Sequence, residues 1–297
     1  MYLEISNIAA ALGKNPYESR EKMLLTSWAR HCPQVVLKYL IDNECIAPLQ
    51  EDEETFSNLQ KEVYSLNIPK EFDVKDFKKI EDKIVKEYKK KRNNEQSPEE
   101  LVQLKEYTKD LLKKNNGNLQ EDKIIQKEQY TKGNDRMYYY EIAEDASIGG
   151  KNDASLGDIL LEIKTRVKKA NVRRNDYDLY QLIGYLLATG LQKGKLVQVY
   201  NKEKFDSDTP NEKEYGIIDI TQECWKDLSE EIKNGLKVYF DDLRTLIETS
   251  NFKYLAGVIP KPLRPIAKIA EIDEDVELCE ENIKYKNLLR HISKAIN

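Results

Sequence analysis

A short apolar segment that contains two charged residues constrains this chain more than any other feature. Residues 159–165 read Ile-Leu-Leu-Glu-Ile-Lys-Thr, which is apolar and β-branched enough to predict a buried strand. Side chains alternate across a strand, so Glu162 and Lys164 share one face while Leu161 and Ile163 point to the other. Charges in a buried strand are costly unless they are paired or hold a metal. The segment therefore predicts a sheet whose interior holds a carboxylate and an ammonium group side by side.

A second carboxylate, Asp153, precedes this strand at hairpin distance. Eight residues separate Asp153 from Glu162, and a turn within residues 155–158 would bring the two carboxylates together. The chain has only two histidines, so a site for a hard metal ion must use carboxylates, which suit magnesium or manganese. Asp158 remains an alternative ligand in place of Asp153. We favour Asp153, because aspartate is common at turns in any case.

Two carboxylates and a lysine arranged in this way suit the metal-assisted hydrolysis of a phosphodiester. A bound Mg²⁺, for which Mn²⁺ would substitute, would lower the pKa of a water molecule and stabilise the departing oxygen. Lys164 would orient or deprotonate that water, or neutralise the charge that develops on the phosphate. The alternative interpretation is an ordinary Glu–Lys ion pair on an edge strand, and such pairs are common.

A basic run follows the strand directly. The formal net charge of the chain is −5, so any nucleic-acid contact must come from a local patch rather than from a basic coat. Between residues 164 and 174 there is no acidic residue. The basic residues of this stretch are Lys164, Arg166, Lys168, Lys169, Arg173 and Arg174. The run is typical of a surface that tracks phosphates, and a solvated loop is the alternative.

The hydrophobic periodicity predicts an α/β core with helical elaborations. Strands are predicted over 137–142, 147–150, 159–165, 196–200 and 215–220. Helices are predicted within 1–45 and 50–115 and over 119–131, Asp176–Thr189, 221–246 and 279–296. In the first of these regions, we expect Ser6 to cap a helix over 7–12 that ends at Gly13.

Several classes of protein are disfavoured by what the sequence lacks. The four cysteines, Cys32, Cys45, Cys224 and Cys279, are scattered, which argues against a zinc site or an iron–sulfur cluster. Residues 190–195 contain glycines and a lysine but not the pattern of an ATP-binding loop. No apolar run has membrane-spanning length, and the N-terminus lacks a signal-peptide pattern. We expect a soluble, intracellular protein, in the cytoplasm or, if viral, in the host cytoplasm or nucleus.

The residues around Asp153 and Glu162 resemble the PD-(D/E)xK nuclease superfamily. Ile-Gly-Gly-Lys-Asn-Asp at 148–153 and Leu-Glu-Ile-Lys-Thr-Arg at 161–166 are similar to the phage lambda exonuclease-like (YqaJ viral recombinase) family, including related exonucleases of large DNA viruses. Three further segments are similar to motifs of that family, in the same order along the chain. They are 5–17, which contains Ser6, 117–121, which contains Glu121, and 180–190, which contains Gln181.

The resemblance implies a restriction-endonuclease-like core, in which helices flank a central mixed β-sheet. It implies one nuclease domain over 1–297, with a charged helical insert at 50–115, a catalytic core at 117–220 and a helical C-terminal region at 221–297. The catalytic residues that it implies are Glu121, Asp153, Glu162, Lys164 and Gln181. The residues that it places around the metal are Asp153, Glu162, Glu121 and Ile163, the last necessarily through its backbone.

The match to the family is less complete at the residues that would contact DNA. Ser6 is expected near a terminal phosphate, and the basic run along the DNA backbone. The family's lead-in to the aspartate, often Ser-Pro-Asp-Gly, reads Lys-Asn-Asp-Ala at 151–154, so Lys151 stands where a phosphate-facing serine is expected. An arginine that commonly precedes the N-terminal motif is missing. These departures leave the polarity of the enzyme open, and 50–115 has no counterpart in the family.

The activity implied by the resemblance is that of a metal-dependent exonuclease that processes double-stranded DNA ends for recombination or repair. Its main partner would be DNA with free ends, and no membrane is implied. A single-strand-annealing or recombination partner and a homo-oligomer are compatible with this activity. Two alternatives stay open: an endonuclease of the RecB-like type, which normally carries clustered cysteines, and a non-catalytic DNA-binding or interaction module on a nuclease fold.

Overall fold

The computed structural model shows a mixed α/β protein. It describes residues 1–32, 35–36, 39, 47–48, 72, 76–91, 98–133, 136–166, 176–200, 212–214, 218–250 and 265–266. The helices within these residues are α1 (Ile8–Ala11), α2 (Arg20–His31), α3 (Phe77–Lys91), α4 (Pro98–Lys127), α5 (Asp176–Thr189) and α6 (Glu223–Thr249). The strands are β1 (Tyr2–Glu4), β2 (Ala47–Pro48), β3 (Thr131–Lys132), β4 (Tyr138–Ala143), β5 (Ala146–Gly150), β6 (Ala154–Leu156), β7 (Ile159–Arg166), β8 (Lys193–Tyr200), β9 (Glu212–Glu214), β10 (Ile218–Asp219) and β11 (Pro265–Ile266).

The larger of the two mixed sheets formed by the described residues carries the predicted strand at its centre. Its order is β10-β8-β7-β6-β3, and β9 also pairs with β8. β6 and β7 form the predicted antiparallel hairpin, with Ala154 opposite Leu161 and Leu156 opposite Ile159. Gly157 has a φ of +60° in the turn between them, a conformation that glycine adopts without strain. β7 and β8 are parallel, and α5 makes the crossover between them.

The smaller sheet joins the N-terminus to the tyrosine-rich segment. Its order is β1-β5-β4, with β1 parallel and β4 antiparallel to β5. Gly149 and Gly150 let aromatic rings approach the β5 backbone closely. A Cβ at Gly149 would lie 2.7 Å from the ring of Tyr139, and one at Gly150 would lie 2.9 Å from the ring of Tyr185. The glycine pair therefore allows a tyrosine of α5 to lie directly against β5.

Both faces of the larger sheet are covered by helices. α5 packs on the face that carries Leu160 and Leu196, and its Leu182 and Leu186 are fully buried in the main core. The C-terminal part of α4 packs on the opposite face, where Leu161 and other apolar side chains form a second cluster. This alternation along β7 confirms that Leu161 points away from the face shared by Leu160, Glu162 and Lys164.

Helix α4 differs from the predicted arrangement of the 50–115 segment. It runs without interruption over 30 residues, across the expected boundary between the insert and the core near residue 116. The helix predicted over 119–131 is therefore the last part of a longer one, and it ends at Lys127. A third apolar cluster, which contains Ile84, Tyr88 and Leu104, joins α3 to the first half of α4. One of the helices predicted within 50–115 is confirmed as α3.

The N-terminal cap was predicted wrongly. Ser6 lies inside a 3-10 turn over Ile5–Asn7, and α1 begins only at Ile8, where the preceding Asn7 makes no side-chain capping hydrogen bond. Ile5 and Ile8 are buried, so packing against the core sets this turn rather than capping. Gly13 does follow the helix, with a φ of +67°.

Other boundaries shift by a few residues. α5 has the predicted bounds, α6 extends to Thr249, and β8 begins three residues before the predicted strand start, at Lys193. The helix predicted over 279–296 and much of the 50–115 segment lie outside the described residues. None of the described helices combines the length and the apolar character that are needed to cross a membrane.

Candidate active site

Glu162 and Lys164 lie against each other in the interior of the larger sheet. Glu162 Oε1 is 2.6 Å from Lys164 Nζ, and the two side chains are 1% and 23% exposed. β7 pairs with β6 on one side and β8 on the other, so the alternative of a pair on an edge strand is wrong. Neither oxygen of Glu162 accepts a well-oriented hydrogen bond from the described residues. A buried carboxylate whose oxygens lack such hydrogen bonds is stabilised by a nearby cation.

Asp153 is positioned beside this pair by the β6–β7 hairpin. It directly precedes β6, and its Oδ2 accepts a hydrogen bond of 2.8 Å from the backbone N–H of Ile163. Asp158 lies at the opposite end of the hairpin, in the turn. Its side chain is 75% exposed and lies 3.6 Å from Lys193 Nζ. The structure therefore brings Asp153 to Glu162 and leaves Asp158 on the surface.

Gln181 reaches the site from α5. Its Oε1 accepts a hydrogen bond of 2.9 Å from Lys164 Nζ. One helical turn later, the hydroxyl of Tyr185 lies close enough to the Gln181 side chain to interact with it. Burial raises the pKa of Tyr185 well above its ordinary value, so this hydroxyl stays protonated. Three side chains thus form a continuous chain from α5 to β7: Tyr185, Gln181 and Lys164.

Glu121 approaches from α4, on the other side of the sheet. It is half-buried, and desolvation raises its pKa to about 7, with a further contribution from the negative charge of Asp153. Lys164 opposes that shift, which places Glu121 within electrostatic reach of both residues. Glu121 and Glu162 therefore lie on opposite faces of the sheet, and each is within electrostatic reach of Asp153.

Burial perturbs the protonation of the innermost groups. Desolvation raises the pKa of Glu162 to about 8, against the opposing effect of Lys164. Desolvation also raises the pKa of Asp153, although the Ile163 N–H partly offsets it. Burial alone would lower the pKa of Lys164, but the surrounding carboxylates outweigh it and the pKa is raised. At neutral pH Lys164 is therefore charged and Glu162 is largely protonated, so a cation that binds beside Glu162 displaces its proton.

Two residues of α5 were missed in the sequence. Asp178 is 1% exposed, and its charge acts on both Glu162 and Lys164. Tyr185 contacts Gln181 as described above. Both stand one helical turn from Gln181, at three residues before it and four after it, so they share its face of the helix. This helical spacing from Gln181 is the sequence signal that could have identified Asp178 and Tyr185.

A pocket next to the site contains the two expected phosphate contacts. Its volume is about 260 Å³. It is lined by Tyr2, Glu4, Ile5, Ser6, Met137, Gly149, Gly150, Lys151 and Tyr185. Tyr185 is shared between the pocket and the Gln181 contact, so the pocket adjoins the carboxylate cluster. Ser6 and Lys151, which are 145 positions apart in the chain, are brought together there.

The basic run remains almost entirely a sequence prediction. Arg166 is the last residue of β7, and only its backbone is described. Lys168, Lys169, Arg173 and Arg174 lie outside the described residues.

The donor atoms present fit a hard divalent cation. Within the described part of the chain, no three His, Cys, Asp or Glu side chains are grouped as a preformed metal site. The carboxylates of Asp153, Glu162 and Glu121 nevertheless supply oxygen donors, and the buried oxygens of Glu162 lack well-oriented hydrogen bonds. Oxygen donors without nitrogen or sulfur suit Mg²⁺ or Mn²⁺.

Comparison with known proteins identifies no family. No family model matches the sequence, and no curated protein matches it. A solved structure described as the crystal structure of SSO0001 is 17% identical, covers 67% of this chain and 88% of that chain, and has a TM-score of 0.32. A likeness of this degree assigns neither a family nor a function.

The pKa of Glu162 predicts how the metal-free protein responds to pH. The unfolded chain ionises Glu162 near its ordinary pKa of 4.5, whereas the folded chain holds the proton until about pH 8. The folded state therefore binds more protons over this interval, and its stability falls as pH rises. We expect thermal melts in EDTA to show a decreasing Tm from pH 5 to pH 9. Glu162→Gln should flatten that decrease, and an equally steep decrease in this variant would contradict the assignment.

Tyr185→Phe tests the chain of side chains that ends at Lys164. Loss of the hydroxyl leaves Gln181 without that partner, and supporting contacts of this kind are typically worth 10–100-fold in activity. Under the nuclease activity that the sequence resemblance implies, we expect the cleavage rate to fall by about 10-fold, with little change in DNA affinity. Tyr239→Phe is the matched control, because the buried Tyr239 hydroxyl bonds to Ser27 and Met23, away from the site. It should lower the Tm and leave cleavage unchanged. Equal rates in the two variants would remove Tyr185 from the site.

Proposed function

We propose that this chain is a metal-dependent DNA nuclease of the PD-(D/E)xK type, with a restriction-endonuclease-like core around β5, β6, β7, α5 and β8. The observation that carries the proposal is the fully buried Glu162 in contact with Lys164, beside the carboxylate of Asp153. Replacing a buried ion pair by apolar residues is often neutral or stabilising, so stability alone does not explain this pair. A site that binds a cation and a phosphate accounts for the pair.

Asp153, Glu162 and Glu121 would hold Mg²⁺ or Mn²⁺, together with the backbone of Ile163. When bound, the ion supplies a water of lowered pKa and stabilises the charge on the reacting phosphate. The protein would contribute by fixing the orientation of Asp153 before the ion arrives. The Ile163 N–H fixes one oxygen of Asp153 and leaves the other for coordination. Glu162 would release its proton on binding a cation.

Lys164 would act on the phosphate rather than on the protein alone. Its ammonium group is held by Glu162 on one side and by Gln181 Oε1 on the other. An ammonium group has three donors, so one can reach a non-bridging phosphate oxygen or the attacking water. A donor that is fixed before the reaction stabilises developing charge without reorganisation.

The adjoining pocket supports an exonuclease that acts on DNA ends. Ser6 supplies a hydroxyl and Lys151 an ammonium group, and both suit a terminal phosphate. Glu4 also lines the pocket, and its carboxylate repels a phosphate. A phosphate in the pocket must therefore pair with Lys151 to offset the repulsion from Glu4. We infer that double-stranded DNA with a free end is the substrate, in recombination or repair.

One incubation tests the proposal and separates it from its alternatives. End-labelled linear duplex and closed circular DNA are each incubated with the protein, with and without magnesium. Metal-dependent loss of linear DNA alone is the expected result. Nicking of the circle would replace the exonuclease by the endonuclease alternative. Binding without cleavage in either metal would overturn the enzyme and favour the non-catalytic module.

A further inference from the structure

Helix α3 carries a stripe of lysines on its solvent face. Lys79, Lys83, Lys86 and Lys90 follow one another at spacings of four, three and four residues, so they lie along one face of a 3.6-residue helix. All four are exposed. The opposite face carries the buried residues Ile80, Ile84 and Tyr88. We call these four residues the lysine stripe.

The charge of α3 contrasts with that of the whole chain. The helix holds seven lysines and three acidic residues, whereas the formal net charge of the chain is −5. Asp82 and Glu87 flank the stripe. Glu87 lies 3.9 Å from Lys83 Nζ, and both side chains are well exposed, so this pair is weak. The positive face of α3 is therefore a local feature that the overall charge does not explain.

α3 is joined to the candidate active site through α4. Leu104 and Leu112 of α4 pack in one apolar cluster with the buried face of α3. The same helix continues to Glu121 and then packs under β7. Only six positions separate the end of α3 from the start of α4, and so short a connection favours antiparallel packing. At about 1.5 Å per residue, the stripe then lies roughly 10 to 30 Å from Glu121, measured along α4.

We propose that the lysine stripe binds the phosphate backbone of the duplex whose end occupies the active site. The proposal rests on the proposed function of the carboxylate cluster and adds a second contact surface to it. The stripe is about 16 Å long, a length over which one DNA strand carries about five phosphates. Its distance from Glu121 is within one turn of DNA, about 34 Å. Ammonium groups that contact phosphates do not distinguish between bases, so this contact is independent of the DNA sequence.

The salt dependence of binding tests the stripe. Lys86→Gln/Lys90→Gln removes two exposed charges, and glutamine preserves the helix propensity of lysine. Lys226→Gln/Lys237→Gln, on the exposed face of α6, is the charge-matched control. Affinity for a 30-base-pair duplex is measured by fluorescence anisotropy in EDTA at several salt concentrations. Circular dichroism of each variant confirms that the helices are retained.

The stripe variant should reduce the slope of log Kd against log salt by about 0.9 for each lost phosphate contact, hence by about 1–2. The α6 control should keep the wild-type slope. If both variants keep it while the wild type still cleaves duplex DNA, the stripe faces solvent only and this proposal is overturned, but the nuclease stands. If the wild type neither binds nor cleaves duplex, both proposals are overturned.

Discussion

Replacing Lys164 by methionine should lower the single-turnover cleavage rate by a factor on the order of 10²–10⁴, as for other positioned acid–base and electrostatic groups. Methionine keeps most of the apolar stem and removes only the ammonium group. Lys164 is 23% exposed while Glu162 is 1% exposed, so Lys164 is the member of the pair that reaches the open side of the site. The rate is measured in saturating magnesium.

The same variant separates catalysis from structure. If Lys164 served only to neutralise Glu162, the Tm would change on its loss and cleavage would persist. We expect the reverse, with DNA affinity and melting temperature near those of the wild type. Burial already raises the pKa of Glu162 to about 8, so its carboxyl can stay protonated when the ammonium group is removed. A variant that cuts at the wild-type rate would defeat the mechanism.

The parts of the site that are local in sequence were predictable. The β6–β7 hairpin places Asp153 beside Glu162 because strand alternation and a glycine in the turn determine the register. The helix that carries Gln181 was predicted with its bounds because its caps and apolar spacing agree. The mixed α/β architecture followed from the same periodicities.

The parts that depend on packing were not predictable. α4 continues through Gly117, although an isolated glycine weakens a helix, because its two halves pack on different apolar clusters. Ser6 does not cap a helix, because burial of Ile5 and Ile8 sets the local turn. No local pattern shows that Tyr185 of α5 would lie against Gly150 of β5. Each of these facts depends on a neighbour that is distant in sequence.

The site contains more carboxyl groups than Lys164 can balance. Asp153, Glu162, Asp178 and Glu121 all act electrostatically on Lys164 or on one another. In a low-dielectric interior, such an excess of like charge is relieved by protons or by a cation. Metal binding and proton release are therefore linked, so apparent metal affinity should rise with pH. The same linkage explains why the metal-free protein is expected to be most stable at acidic pH.

Asp153→Asn should weaken Mn²⁺ binding by more than about 100-fold, which exceeds the effect of typical outer-shell partners. Asparagine keeps an oxygen that can accept from the Ile163 N–H, so the hairpin is preserved while the charge is lost. Asp158→Asn, at the other end of the same hairpin, is the matched control and should bind as the wild type does. Affinities are measured by titration calorimetry at pH 8, where more of Glu162 is ionised than at neutral pH. If Asp158→Asn loses affinity and Asp153→Asn does not, the metal ligand is Asp158 in the turn, and the assignment of Asp153 is wrong.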